Sequence, residues 1–138
     1  MSRAGSWRIG IAVALVVCGC GGGSGSDLSS PTATVKTYLT GVGKGDGKAA
    51  CSALAPQLQQ QAIASAKASG INASSCPALF AQVRAHLSAA QRRRFTNARV
   101  TKVSQSGNTA TVAIAGASSS PTLSKTGAKW LITGGVGF

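Results

Sequence analysis

The chain has 138 residues, a length that suits one domain. Its 14 Lys and Arg side chains face only two carboxylates, Asp27 and Asp46, so the formal charge is +12 with His86 neutral. That inventory excludes paired-carboxylate acid–base chemistry, hard-cation cages built from several acidic oxygens, and zinc sites built from several histidines.

The first residues read as an export signal. Met1–Arg8 carries Arg3 and Arg8 and no acid, and the nine residues of Ile9–Val17 form an apolar run. A helical membrane span needs about 20 apolar residues, so this run is too short to anchor the chain. A basic start, a short apolar middle and a small-residue end form a secretory signal. That end, Val17-Cys18-Gly19-Cys20, resembles a bacterial lipobox, with Val17 three places before Cys20 and Gly19 one place before it. The resemblance implies cleavage before Cys20 and a diacylglycerol thioether on its sulfur, which places the protein on the extracytoplasmic face of the cell membrane. The alternative is an ordinary cleaved signal and a freely secreted protein. On the lipobox reading, residues 1–19 are the signal peptide, 20–28 a Gly/Ser tether whose run Gly21–Ser26 cannot pack, and 29–138 a single domain.

The cysteine count then simplifies. Cys18 leaves with the signal and Cys20 is acylated, so Cys51 and Cys76 remain. Two cysteines left over in an oxidising compartment are expected to pair. Closing a loop of that length would stabilise the fold by roughly 3–4 kcal/mol. The competing reading is a Cys–His nucleophile using His86. No thiol-enzyme signature surrounds either cysteine, and no acid is placed to orient His86.

The domain reads as helices first and strands after. Ser30-Pro31 opens a helix, with Ser as N-cap and Pro at the first helical position. Val35, Tyr38, Leu39 and Val42 recur at helical spacing and form one apolar face. The run Gly41–Gly47 is expected to break that helix as an interhelix turn. It fails as a phosphate loop, because Lys48 is followed by Ala49 and a helix rather than a strand precedes it. Asp46 caps a second helix carrying Ala50, Cys51 and Leu54. Pro56 ends that piece and starts a third, with Leu58, Ala62, Ile63 and Ala66 inward. After a loop over Gly70–Ser75, Cys76-Pro77 opens a fourth, with Leu79, Phe80, Val83 and Leu87 inward. Ser88-Ala-Ala-Gln91 matches a capping box, so a short helical turn runs through Arg92–Arg94. From there the period changes to two. Ala98–Gln105 and Thr109–Ala115 flank the turn Ser106-Gly107-Asn108, and Pro121–Lys125 and Ala128–Thr133 flank Thr126-Gly127 as a hairpin. Helices followed by an antiparallel meander make an α+β domain, with helices covering one sheet face.

The segments SPTATVKTYLTGVGKGDGKAAC, CPALFAQVRAHL, LSAAQRRRF, TNARVTKV, GNTATVAI and AKWLITGG, in that order, resemble the small nuclear-transport-factor-like (cystatin-like) domains of bacterial lipoproteins. The resemblance spans roughly Ser29–Gly135. It implies a cone, a curved sheet wrapping helices around a pocket, and no particular activity, since this fold hosts isomerases, dehydratases and many non-enzymes. Enzymatic members work with a Tyr and one or more Asp in the cone. Here Tyr38 sits on the first helix and no strand carries an acid, so the general base is missing.

Two candidate sites follow. Tyr38, His86 and Trp130 are expected to line a modest apolar pocket, against the plainer reading of packing and surface residues. Arg92, Arg93 and Arg94, with Arg84 and Arg99 nearby, form the densest charge run, either as a solvated face or as a contact for anionic lipid or an acidic cell-wall polymer. Nucleic acid fits the charge but not the compartment, and no RNA-binding aromatic signature is present. No cofactor and no metal site is expected. The favoured expectation is a membrane-anchored, non-catalytic binding or structural module. A basic domain docking on the envelope comes second, and a cone-fold isomerase-like enzyme is third.

Overall fold

Local capping explains where most of the helices begin. The computed structural model describes residues 26–136, so the predicted signal, Cys20 and most of the tether lie outside the described residues. Within them the order is α1 (Pro31–Lys44), α2 (Gly47–Ser52), α3 (Pro56–Ala68), α4 (Cys76–His86), α5 (Ala89–Thr96), β1 (Val100–Ser106), β2 (Thr109–Ile114), β3 (Thr122–Thr126) and β4 (Lys129–Gly134). The Ser30, Asp46 and Ser75 side chains accept hydrogen bonds from the amides of Ala33, Ala49 and Ala78. Before α5 the Ser88 amide donates to Gln91 Oε1 (2.8 Å) and the Gln91 amide donates to Ser88 Oγ (3.2 Å), closing the expected capping box. Pro31, Pro56 and Pro77 each fall in a first helical turn, where a backbone N–H has no partner to lose.

One expectation is corrected. The break expected over Gly41–Gly47 comes late, because α1 runs through Gly41 and Gly43 and ends only at Gly45. Gly45 has φ +75°, the left-handed conformation that closes a helix and that L side chains rarely adopt. Gly41 and Gly43 stay helical because other helices need the room. A Cβ at Gly41 would meet the Ala50 amide of α2 at 2.7 Å. A Cβ at Gly43 would lie 2.7 Å from Thr96 Cγ2 and 2.9 Å from the Arg92 carbonyl of α5. Each glycine costs about 1 kcal/mol of helix propensity, which close packing of two neighbouring helices offsets. Leu54 also falls outside α2 and instead bridges, in parallel, to Ile132.

The four strands form an open antiparallel sheet in the order β1-β2-β3-β4. The described residues are therefore α+β, with five helices and this meander. Alternation sends Ala110, Val112, Leu123, Trp130 and Ile132 to one face, where they join Val35, Tyr38, Leu39 and Val42 of α1 in the main core. The outer edge of β4 is covered by main chain. Ile132 donates to the Ala53 carbonyl, Ala55 donates to the Ile132 carbonyl and Trp130 donates to the Leu28 carbonyl, all at 2.8 Å. Thr34 is polar and buried, and its Oγ1 is satisfied by donating to the Trp130 carbonyl at 3.0 Å. A smaller cluster of Ala62, Ala66 and Leu79 joins α3 to α4. Cys51 and Cys76 are disulfide-bonded with a Cα–Cα distance of 6.0 Å, tying α2 to α4.

Replacing Gly43 by Ala pushes a methyl into the α5 backbone, and overpacking of this kind costs about 1–3 kcal/mol. A lowered urea midpoint with an unchanged denaturant slope is the expected result, and an unchanged midpoint would show that α5 can move freely away from α1.

Candidate binding site

The three residues expected to line a pocket do not meet. Tyr38 and Trp130 are both in the main core, at 6% and 3% exposure, while His86 lies exposed at the end of α4. Tyr38 packs edge-on against Phe80, with ring centroids 5.9 Å apart at 84°. Burial pushes its phenol up to about 12. The disulfide consumes both thiols, so the Cys–His nucleophile weighed above has no sulfur among the described residues. No group of three or more His, Cys, Asp or Glu side chains that could hold a metal ion occurs among the described residues.

The arginine run behaves differently along its length. Arg92 is half-buried and its guanidinium donates to the Leu87 carbonyl at 3.4 Å, a contact that ties it to the start of its own helix. Arg93 and Arg94 are exposed and line an open groove of about 990 Å³. They stand in the last turn of α5, where cationic side chains complement the helix dipole. Arg99 joins them from the segment leading into β1. That segment is held by the Ala115 amide, which donates to the Arg99 carbonyl at 2.9 Å and so brings the end of β2 alongside. Gly116 and Ala117 complete this wall without side-chain bulk.

The groove floor is apolar. Leu39 rises from α1, Leu87 precedes α5, Phe95 comes from its last turn and Ile114 from the end of β2. Leu87, Phe95 and Ile114 are half-buried and pack against the main core from its edge. The sequence signal for this floor was Phe95 directly after the arginines. Its partners Leu39 and Ile114 are distant in the chain and only the fold brings them together.

Both carboxylates are elsewhere. Asp27 and Asp46 line a different hollow of about 530 Å³, beside Lys36 and Lys44 of α1. The Ser29 hydroxyl and amide donate to Asp27 Oδ1 at 2.6 and 3.1 Å and hold its carboxyl below the usual range. The Ala49 amide occupies Asp46 Oδ1 at 3.0 Å. The arginine groove therefore has a cationic rim, an apolar floor and no acid in its lining. Such an arrangement can hold an anion that carries an apolar body. It offers no general base.

No family model, curated protein or solved structure matches the chain.

Tyr38 is the only tyrosine of the chain, so its ionisation can be followed without interference from others. The folded phenol should titrate near 12, well above the ordinary value of 10.0. Because folding raises this value, the group's contribution to stability is complete below the unfolded value and is lost as pH climbs from there through the folded one. Difference absorbance of the phenolate against pH, run on the folded and the urea-unfolded protein, checks this. Coincident curves would place the ring in water.

Proposed function

We propose that the protein is a lipid-anchored, extracytoplasmic binding module without catalytic chemistry, and that the α5 groove docks it on the anionic surface of its membrane. The carrying observation is the one-sided site, with Arg93, Arg94 and Arg99 around an apolar floor and both acids elsewhere. Residues 26–136 carry 12 basic and two acidic side chains, formally +10, so the whole domain is attracted to negative charge. The lipobox-like Val17–Cys20 supports the anchor. The run of helices into an antiparallel meander supports a cone-type domain, a fold that serves many proteins without enzymatic activity.

Lipid suits the groove better than a cell-wall polymer does, because a polymer of charged or hydroxylated units gives the apolar floor nothing to bury. The eight links from Cys20 to Leu28 reach at most about 29 Å when extended. That length lets an anchored domain turn its α5 face toward the bilayer.

Each basic side chain at an anionic bilayer contributes about 1 kcal/mol. Replacing Arg93, Arg94 and Arg99 together by Ala should therefore weaken binding to vesicles containing anionic phospholipid by on the order of a hundredfold. Sedimentation of the mature chain, residues 20–138, carrying Cys20→Ser, which cannot be acylated, measures this. Binding should fall steeply with added salt and vanish on neutral vesicles. Salt-independent binding, or equal binding by the triple variant, refutes the docking face. A separate prediction concerns the anchor. Mass spectrometry of the protein from native membranes should find Cys20 at the amino terminus with acyl chains attached. A chain starting at Met1, or an unmodified Cys20, refutes it.

A further inference from the structure

We infer that the α5 groove takes up a single acyl chain of an anionic lipid, not only its headgroup: the phosphate sits among Arg93, Arg94 and Arg99 and the chain lies along Leu39, Phe95 and Ile114. This rests on the docking reading above and goes beyond it, since docking through charge alone requires no hollow.

Three observations carry the inference. The first is the shape of the site. A surface that only attracts headgroups can be convex, yet here the arginines ring an open hollow of about 990 Å³. Ala90 on α5, Ala98 before β1 and Ala115–Ala117 after β2 line it beside the polar Gln91 and Asn97, and no side chain of the described residues fills it. The second is the floor. Phe95 and Ile114 belong to the rim of the core yet keep part of their surface in water. Covering that surface with a methylene chain removes apolar area from water on both partners. The third is the charge. Of the three consecutive arginines only Arg92 hydrogen-bonds to the described residues, leaving the forks of Arg93 and Arg94 free of such bonds. Planar guanidinium groups match the oxygens of a phosphate. An uncharged chain would not need them, and a free phosphate would not need the floor.

The test uses the mature chain, residues 20–138, carrying Cys20→Ser, dodecyl phosphate below its micelle-forming concentration, inorganic phosphate and dodecyl maltoside, with binding followed by titration calorimetry. Dodecyl phosphate should bind one molecule per chain, at least about tenfold tighter than either comparison compound. Ala90→Trp fills the groove from an exposed helical position and leaves all three arginines in place. It should weaken dodecyl phosphate binding by about tenfold, and the vesicle binding that remains should stay salt-dependent, since all three arginines are in place. Ala117→Trp, on the opposite wall, should do the same, so the result does not depend on one variant folding well. Inorganic phosphate binding as tightly as dodecyl phosphate overturns the inference, as does dodecyl maltoside binding equally well. Failure of dodecyl phosphate to bind while vesicles still do also overturns it, and leaves the docking face standing. Loss of both kinds of binding in the parent overturns both readings.

Discussion

The close approach of α1 and α5 at Gly43 is the constraint on which the site depends. α5 has no fully buried residue, so little of its own apolar surface fixes it. It is held because α1 offers a bare backbone at Gly43, into which the Arg92 carbonyl and Thr96 methyl fit at distances no side chain would permit. With α5 seated there, Arg92 turns back to the Leu87 carbonyl while Arg93 and Arg94 point over the groove. Phe95 reaches the core rim from the same turn. The geometry of the cationic rim is thus set by a missing methyl on another helix.

A domain this rich in small residues needs other sources of stability. Its core has few aromatics, and the largest fully buried side chains are aliphatic, Leu54, Leu123 and Ile132 among them. Three devices compensate. The disulfide joins α2 to α4, and the loop it closes is long enough for roughly 3–4 kcal/mol by the chain-entropy account. Side-chain caps satisfy orphan amides at four of the five helix starts. Main-chain bonds from Ala55 and to Ala53 and Leu28 cover the β4 edge that would otherwise lie open. None of these uses a basic side chain.

Much of the fold was legible in the sequence because its signals are local. Ser30, Asp46, Cys76-Pro77 and the Ser88/Gln91 pair each mark a helix start that a short stretch of chain specifies alone. The change of period after Thr96 marks the strands to within a residue or two. The alternation in Thr109–Ile114 sorts Ala110 and Val112 inward correctly. What was not legible depends on distant partners. A glycine run read locally is a helix breaker, and only the arrival of α2 and α5 explains why Gly41 and Gly43 remain helical. His86 and Tyr38 look alike as polar tips on apolar stripes, yet α4 ends at His86 and leaves it in water while Phe80 covers Tyr38. Arg92 and Arg99 traded roles with respect to the expected triplet. The carbonyl that engages Arg92 and the strand end that positions Arg99 are set by tertiary contacts.

The separation of the two carboxylates from the arginines has a consequence for recognition. Had Asp27 or Asp46 lain near α5, each would have paired with a guanidinium and lowered the groove's attraction for an anion. Instead Asp46 is committed to capping α2 and Asp27 to Ser29, on the side of α1 that faces the other hollow. α1 thus divides the molecule electrostatically, with Lys36, Lys44 and both acids on one flank and an acid-free cationic groove on the other. An anchor alone confines a domain near the bilayer without choosing which face it presents. On the proposed docking, the acid-free positive flank supplies that choice, because an anionic surface attracts Arg93, Arg94 and Arg99 without an opposing carboxylate beside them. On the proposed anchoring and docking, tether and groove act on different degrees of freedom, the first on distance and the second on orientation.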